Sequence, residues 1–224
     1  MISIAGEIYR PEFKLFPLSA RCTSNCPLLC GETLLVGAEK MEDFNVAPEE
    51  RAAARGFYDR DNLYIQLRCK DRDIVSEVKS AAAAVPGNAA DTVQIILKSE
   101  KEHGIWVINA TVNNIANGFF FYSAGTVIPA SAPKLTGIKV KISRDGSLNN
   151  TDDTDRSCEA WVTIPYTVFK NRDLKFTPGE KWTILVRRYN FGVHLKAKEV
   201  SSFPQMTIFK HYEPTRYARI TFQK

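Results

Sequence analysis

Residues 56–74 read GFYDRDNLYIQLRCKDRDI, and the middle of this stretch decides the fold. From Asn62 to Lys70 the residues alternate. Leu63, Ile65, Leu67 and Cys69 point one way; Tyr64, Gln66, Arg68 and Lys70 point the other. A period of two marks a half-buried strand, because successive side chains of an extended backbone leave on opposite faces. The polar run ahead of it, with Tyr58, Asp59 and Asp61, reads as a tight hairpin turn. The same period recurs along the chain. Val93, Ile95 and Leu97 share a face, as do Ile138, Val140 and Ile142, and then Cys158, Ala160, Val162 and Ile164. Ile105–Val112 is apolar on both sides, which suits a central strand. Trp182, Ile184 and Val186 mark another strand, and Ala218, Ile220 and Phe222 a last one. Asp145–Gly146 and Pro178–Gly179 are turn dipeptides, and Pro165 ends its strand by removing a backbone donor.

This pattern predicts an all-β fold, an antiparallel β-sandwich of immunoglobulin-like two-sheet architecture. One or two short helices are expected. The first is Asp73–Ala84, rich in Ala, Glu and Lys and stopped by Pro86–Gly87; the second is Pro48–Arg55. No repeat, linker or composition shift divides the chain, so residues 1–224 are read as one domain. No apolar run approaches the roughly 18 residues of a membrane helix. The net charge of +5 is mild and its lysines and arginines are spread among acids, unlike the basic stripe of a nucleic-acid binder. The opening MISIAGEIYRPEFK carries no signal peptide, as would also hold after its removal.

Of five cysteines, Cys69 and Cys158 fall in phase with core positions. Cys22, Cys26 and Cys30 lie in an N-terminal C-x3-C-x3-C run that lacks zinc spacing; a disulfide there would fit an exported protein. No G-x-S-x-G, H-E-x-x-H or P-loop is present, and no carboxylate pair is singled out for glycoside hydrolysis. A non-enzymatic role is therefore expected. Asp91 precedes a strand, where a carboxylate caps a loop, holds calcium or accepts sugar hydroxyls. Asp152, Asp153 and Asp155 in NNTDDTD (149–155) offer oxygens to calcium without the order of an EF-hand; a solvated loop is the other reading. Trp161 is out of phase with its apolar neighbours and so faces away from the core, as a stacking platform or as packing beneath a loop. Trp106 and Trp182 are in phase with Ile108 and Ile184 and are read as core.

Four stretches carry a family resemblance: 56–74, DTVQIIL (91–97), AWVTIPYTVF (160–169), and KWTILVRRYNF (181–191) with SSFPQMTIFKHYEPTRYARITF (201–222). Together they resemble the family 9 carbohydrate-binding modules and the wider DOMON-like β-sandwich superfamily, over about 56–222. Residues 1–55 diverge. The resemblance implies an extracellular or periplasmic module that binds an oligosaccharide or polysaccharide. It places Phe203 where the family often has a binding Trp, and matches Arg188 to a strand-end Arg. The loop VPGNAAD before Thr92 lacks the family's clamp aromatic. Phe203, Trp161 and Tyr189 are the expected stacking groups, with Arg188, Asp91 and Gln205 as polar partners. Structural calcium is in keeping with the family. Two alternatives are a haem-binding electron-transfer domain, using Met41 or Met206 with His103, His194 or His211, and a scaffold that binds only other proteins.

Overall fold

The computed structural model describes residues 10–18, 33–37, 48–122, 134–169, 174–195, 197–206 and 213–223. These contain thirteen strands: β1 (Glu12–Pro17), β2 (Thr33–Leu34), β3 (Val36–Gly37), β4 (Ala52–Tyr58), β5 (Asn62–Lys70), β6 (Thr92–Ser99), β7 (Ile105–Thr111), β8 (Ala116–Phe121), β9 (Lys139–Asp145), β10 (Ser157–Pro165), β11 (Trp182–Asn190), β12 (Glu199–Phe203) and β13 (Ala218–Phe222). They form one sheet in the order β8-β7-β6-β11-β13-β1-β4-β5-β10-β9, with β12 beside β11 and β2 beside β4. Its two ends nearly meet. The Leu135 amide, just ahead of β9, donates to the Gly118 carbonyl of β8 at 2.8 Å. The sheet is thus an almost closed barrel around one core.

The alternation at Asn62–Lys70 holds in three dimensions. Leu63, Ile65, Leu67 and Cys69 are buried in a core shared with β6, β7, β10 and β11. Trp106 and Trp182 lie in it 5.4 Å apart, with Phe169 and Phe176 each 5.0 Å from Trp182. The hairpin turn also forms: the Asp59 carboxylate accepts the Asp61 and Asn62 amides, each at 2.8 Å, and the Tyr64 hydroxyl at 2.6 Å. Cys69 and Cys158 are free, buried and directly opposed on β5 and β10. Cys22, Cys26 and Cys30 lie outside the described residues.

Three expectations are corrected. The sheet is not wholly antiparallel: β1 runs parallel to both its neighbours, β13 and β4. Phe13 and Leu15 enter the core there, and Gly56 on β4 leaves the space they fill. The helix expected at Asp73–Ala84 is absent; only Ala81–Ala83 makes a single 3-10 turn. Here tertiary partners override helix propensity. Successive amides of the segment donate to side chains instead: Arg72 to Glu50, Asp73 to Asp71, Ile74 to Asp155, Val75 to Asp91 and Ser76 to Asn149. The helix expected at Pro48–Arg55 is absent as well, because Ala52 already starts β4. No helix among the described residues is long and apolar enough to cross a membrane.

Candidate functional site

The expected site residues are scattered over the fold. Arg188 and Asp91 belong to an internal ionic cluster. Arg188, 2% exposed, donates to the Asp71 carboxylate at 2.9 Å, the Asn190 side chain at 2.7 Å and the Glu50 carbonyl at 3.0 Å. Glu50 in turn takes the Arg72 amide at 2.9 Å and the Asn190 amide group at 2.8 Å. The Asp91 carboxylate accepts the amides of Val75 at 2.8 Å and Phe191 at 2.7 Å. It therefore ties the loop before β6 to the end of β11. Asp155 works likewise, accepting Ile74 and Ser147 amides at 2.7 Å each, while Asp152 and Asp153 stay exposed. Among the described residues no group of three or more His, Cys, Asp or Glu is arranged to hold a metal ion. Met206 is enclosed by Ile96, Leu185 and Tyr217; Met41 and His211 lie outside the described residues.

The ionic cluster sets a pH dependence. Burial pushes the Asp71 carboxyl up to about 6; the nearby Glu50 carboxylate adds to the rise and Arg188 opposes it. Burial, then the Asp71 carboxylate, likewise pushes Asp91 well above the usual range. Both groups hold protons more readily in the folded chain than in the unfolded one, where an aspartate titrates near 3.9. Their contribution to stability is complete below that value and is lost as pH rises through about 6 for Asp71. Urea melts should show Asp71→Asn flattening the difference between pH 4.5 and pH 7 by about 1–3 kcal/mol. An unchanged difference would mean that Asp71 titrates normally.

Trp161 stands elsewhere, on the outer face of β10. It stacks on Phe57 at 5.6 Å and leans on Tyr64 at 5.9 Å. Lys141 of β9 and Gln66 of β5 flank it across the strands. Phe203 is turned to the core, 6.2 Å from Phe13. The outward phase inferred for Trp161 is correct, but the structure does not bring it together with Tyr189.

Tyr189 lies on the outer face of the other half of the sheet, and here the structure shows polar residues that the sequence reading passed over. Arg187 sits 5.0 Å over its ring and Lys198 5.7 Å from it; Lys198 is also 5.7 Å from the Phe191 ring. The Tyr189 hydroxyl reaches Gln94 at 3.4 Å. From Gln94 a row of amides crosses three strands. Gln94 of β6 donates to Asn109 of β7 at 3.1 Å, and Asn109 donates to Asn117 of β8 at 2.9 Å. Asn117 then donates to the Ala81 and Ala84 carbonyls, at 2.5 Å and 2.8 Å. Gln94 and Asn109 are buried, Asn117 and Phe191 half-buried, and Lys198 exposed. Below the row the same face is apolar, through Ile96, Val107 and Leu185, covered by Met206 and Tyr217. Gln205, exposed, occupies the turn after β12 beside Met206. The sequence did carry a signal for this row. Gln94 and Asn109 each interrupt a run of apolar residues in mid-strand, where an amide needs a partner.

No family model and no curated protein matches the chain. Solved structures do. One is described as a putative carbohydrate-binding protein from Bacteroides uniformis ATCC 8492; it is 12% identical, with a TM-score of 0.61 over 95% of this chain and 99% of that one. Two are structures of a family 9 carbohydrate-binding module from Caldicellulosiruptor kristjanssonii. The complex with cellotriose is 10% identical, with a TM-score of 0.54 over 95% of this chain and 93% of that one. The complex with glucose is 11% identical, with the same TM-score of 0.54 over 95% of each chain. At such identities the likeness is one of fold.

Proposed function

We propose that this chain is a single, non-catalytic carbohydrate-binding domain that works outside the cytoplasm, its curled sheet acting as a flattened two-layer sandwich. The observation that carries the reading is the amide row Gln94–Asn109–Asn117 set beside the Tyr189 ring. Sugar hydroxyls both donate and accept, and so does a carboxamide. The apolar face of a pyranose stacks on an aromatic ring. Phe191 and Lys198 form the rim, and the buried Arg187 guanidinium backs the Tyr189 ring from 5.0 Å. In this reading the ligand enters between that rim and Asn117, displacing the Ala81–Ala83 turn, which Asn117 holds. The glucose and cellotriose complexes of the similar modules make neutral glucosides the first ligands to try. Tyr189 stays a stacking group and Gln205 a neighbouring polar contact. Asp91 and Arg188 shape the site from within.

Calorimetry with cellotriose and a glycan-array screen test this. Gln94→Leu, Asn109→Val and Tyr189→Ala should each weaken binding roughly 10- to 100-fold, the cost of a lost buried hydrogen bond or stack. Trp161→Ala should leave it unchanged. If instead Trp161→Ala abolishes binding and Gln94→Leu does not, the sugar lies on the opposite face. No binding to any glycan would sink the reading.

A further inference from the structure

A separate cleft of about 690 Å³ lies near the other end of β6 and β11. Its polar centre follows from strand register. Thr183 of β11 is paired on one side with Lys98 of β6 and on the other with Arg219 of β13. Directly paired residues leave the same face, and neighbouring strands are about 4.8 Å apart, so the Lys98 and Arg219 side chains leave the sheet on either side of Thr183. The Thr183 hydroxyl is enclosed and meets no hydrogen-bond partner among the described residues. Arg10 and Thr215 line the cleft too. Its two carboxylates are already matched: Glu100 pairs with Lys181 at 3.2 Å and Glu180 with Lys101 at 2.7 Å. The Lys98 ammonium is anchored on the Ser99 and Glu102 carbonyls. Burial lowers its pKa, so an incoming anion would offset the cost of its charge.

We propose that this cleft is a second ligand site, which takes the oxyanion of an acidic sugar, the carboxylate of a hexuronate or the phosphate of a hexose ester. Lys98 and Arg219 would grip the oxyanion, and the Thr183 hydroxyl would find its missing partner between them. The volume fits a mono- or disaccharide. Gln94 and Lys98 are four residues apart on one strand, about 14 Å, so the two sites are distinct. The sugar half of this assignment rests on the carbohydrate-binding reading; the oxyanion half stands on the cleft alone.

Low-salt calorimetry with glucuronate, glucose 6-phosphate, inorganic phosphate and sulfate tests it. One sugar acid should bind at least tenfold more tightly than either inorganic anion, and the stronger of the two identifies the group. Arg219→Gln and Lys98→Met should each weaken that binding roughly 10- to 100-fold, as expected for charge-assisted hydrogen bonds. Cellotriose titrated into the same variants should behave as with the native protein, which separates failure here from failure at the amide row. Arg219 is exposed, so its variant should keep the native melting temperature. Inorganic anions that bind as tightly as the sugar acids, variants of full affinity, or no anion binding at all would each overturn the proposal.

Discussion

Arg188→Met should destabilise the protein by roughly 3–5 kcal/mol, the cost of stripping a buried carboxylate of its counter-charge. The Arg188 and Asp71 side chains are 2% and 0% exposed, and no water can take over the lost contact without opening the core. The same guanidinium holds the Glu50 carbonyl and the Asn190 side chain, which joins β11 to the start of β4. Urea unfolding followed by circular dichroism measures the loss. Adding Asp71→Asn to Arg188→Met should restore part of it, because a neutral amide is less costly to leave without its cation. A single variant that loses less than about 1 kcal/mol would show that the cluster tolerates an uncompensated charge, against the general rule for buried pairs.

Asp155→Ala should cost roughly 2–6 kcal/mol, because two amides lose their acceptor at once. Ile74 and Ser147 are the donors, both at 2.7 Å, and Asp155 is itself 2% exposed. Hydrogen exchange gives a local readout: the Ile74 amide should exchange far faster in the variant, with smaller changes in β6 and β7. The experiment also tests a calcium role for Asp152, Asp153 and Asp155. In that role calcium raises the native melting temperature and the Asp155→Ala variant loses the rise. If Asp155 acts only as an acceptor for the two amides, calcium changes nothing.

The strands were legible because a two-residue period survives any arrangement of their partners. Leu63, Ile65 and Leu67 had to share a face wherever β5 lay. The segment 73–84 was misread for the opposite reason. Its local composition favours a helix, and what prevents one is a set of acceptors remote in sequence: Glu50, Asp91, Asn149 and Asp155. No local window contains them. β1 escaped notice because its alternation spans only Phe13 and Leu15 and one of its two neighbours, β13, comes from the far end of the chain. In the candidate site, the facing of Trp161 followed from phase. That Trp161 and Tyr189 occupy different halves of the sheet did not, since phase says nothing about which strands adjoin. Arg188 was matched by its place in a motif, and the structure shows its charge turned inward to carboxylates of the same chain.

The parallel strand β1 also sets an order of events. The path through the sheet passes from β13 to β1, so the first described strand and the last are adjacent, with Phe13 opposite Ile220. Every route from the β6–β11 half to the β4–β5 half along that path crosses this one seam. A chain emerging from the ribosome can assemble hairpins such as β4–β5 early, but β1 must wait for β13 before the seam can zip. Contacts of such long sequence separation form slowly. The barrel should therefore close only after β13 has been made, however early the hairpins of the preceding segments form.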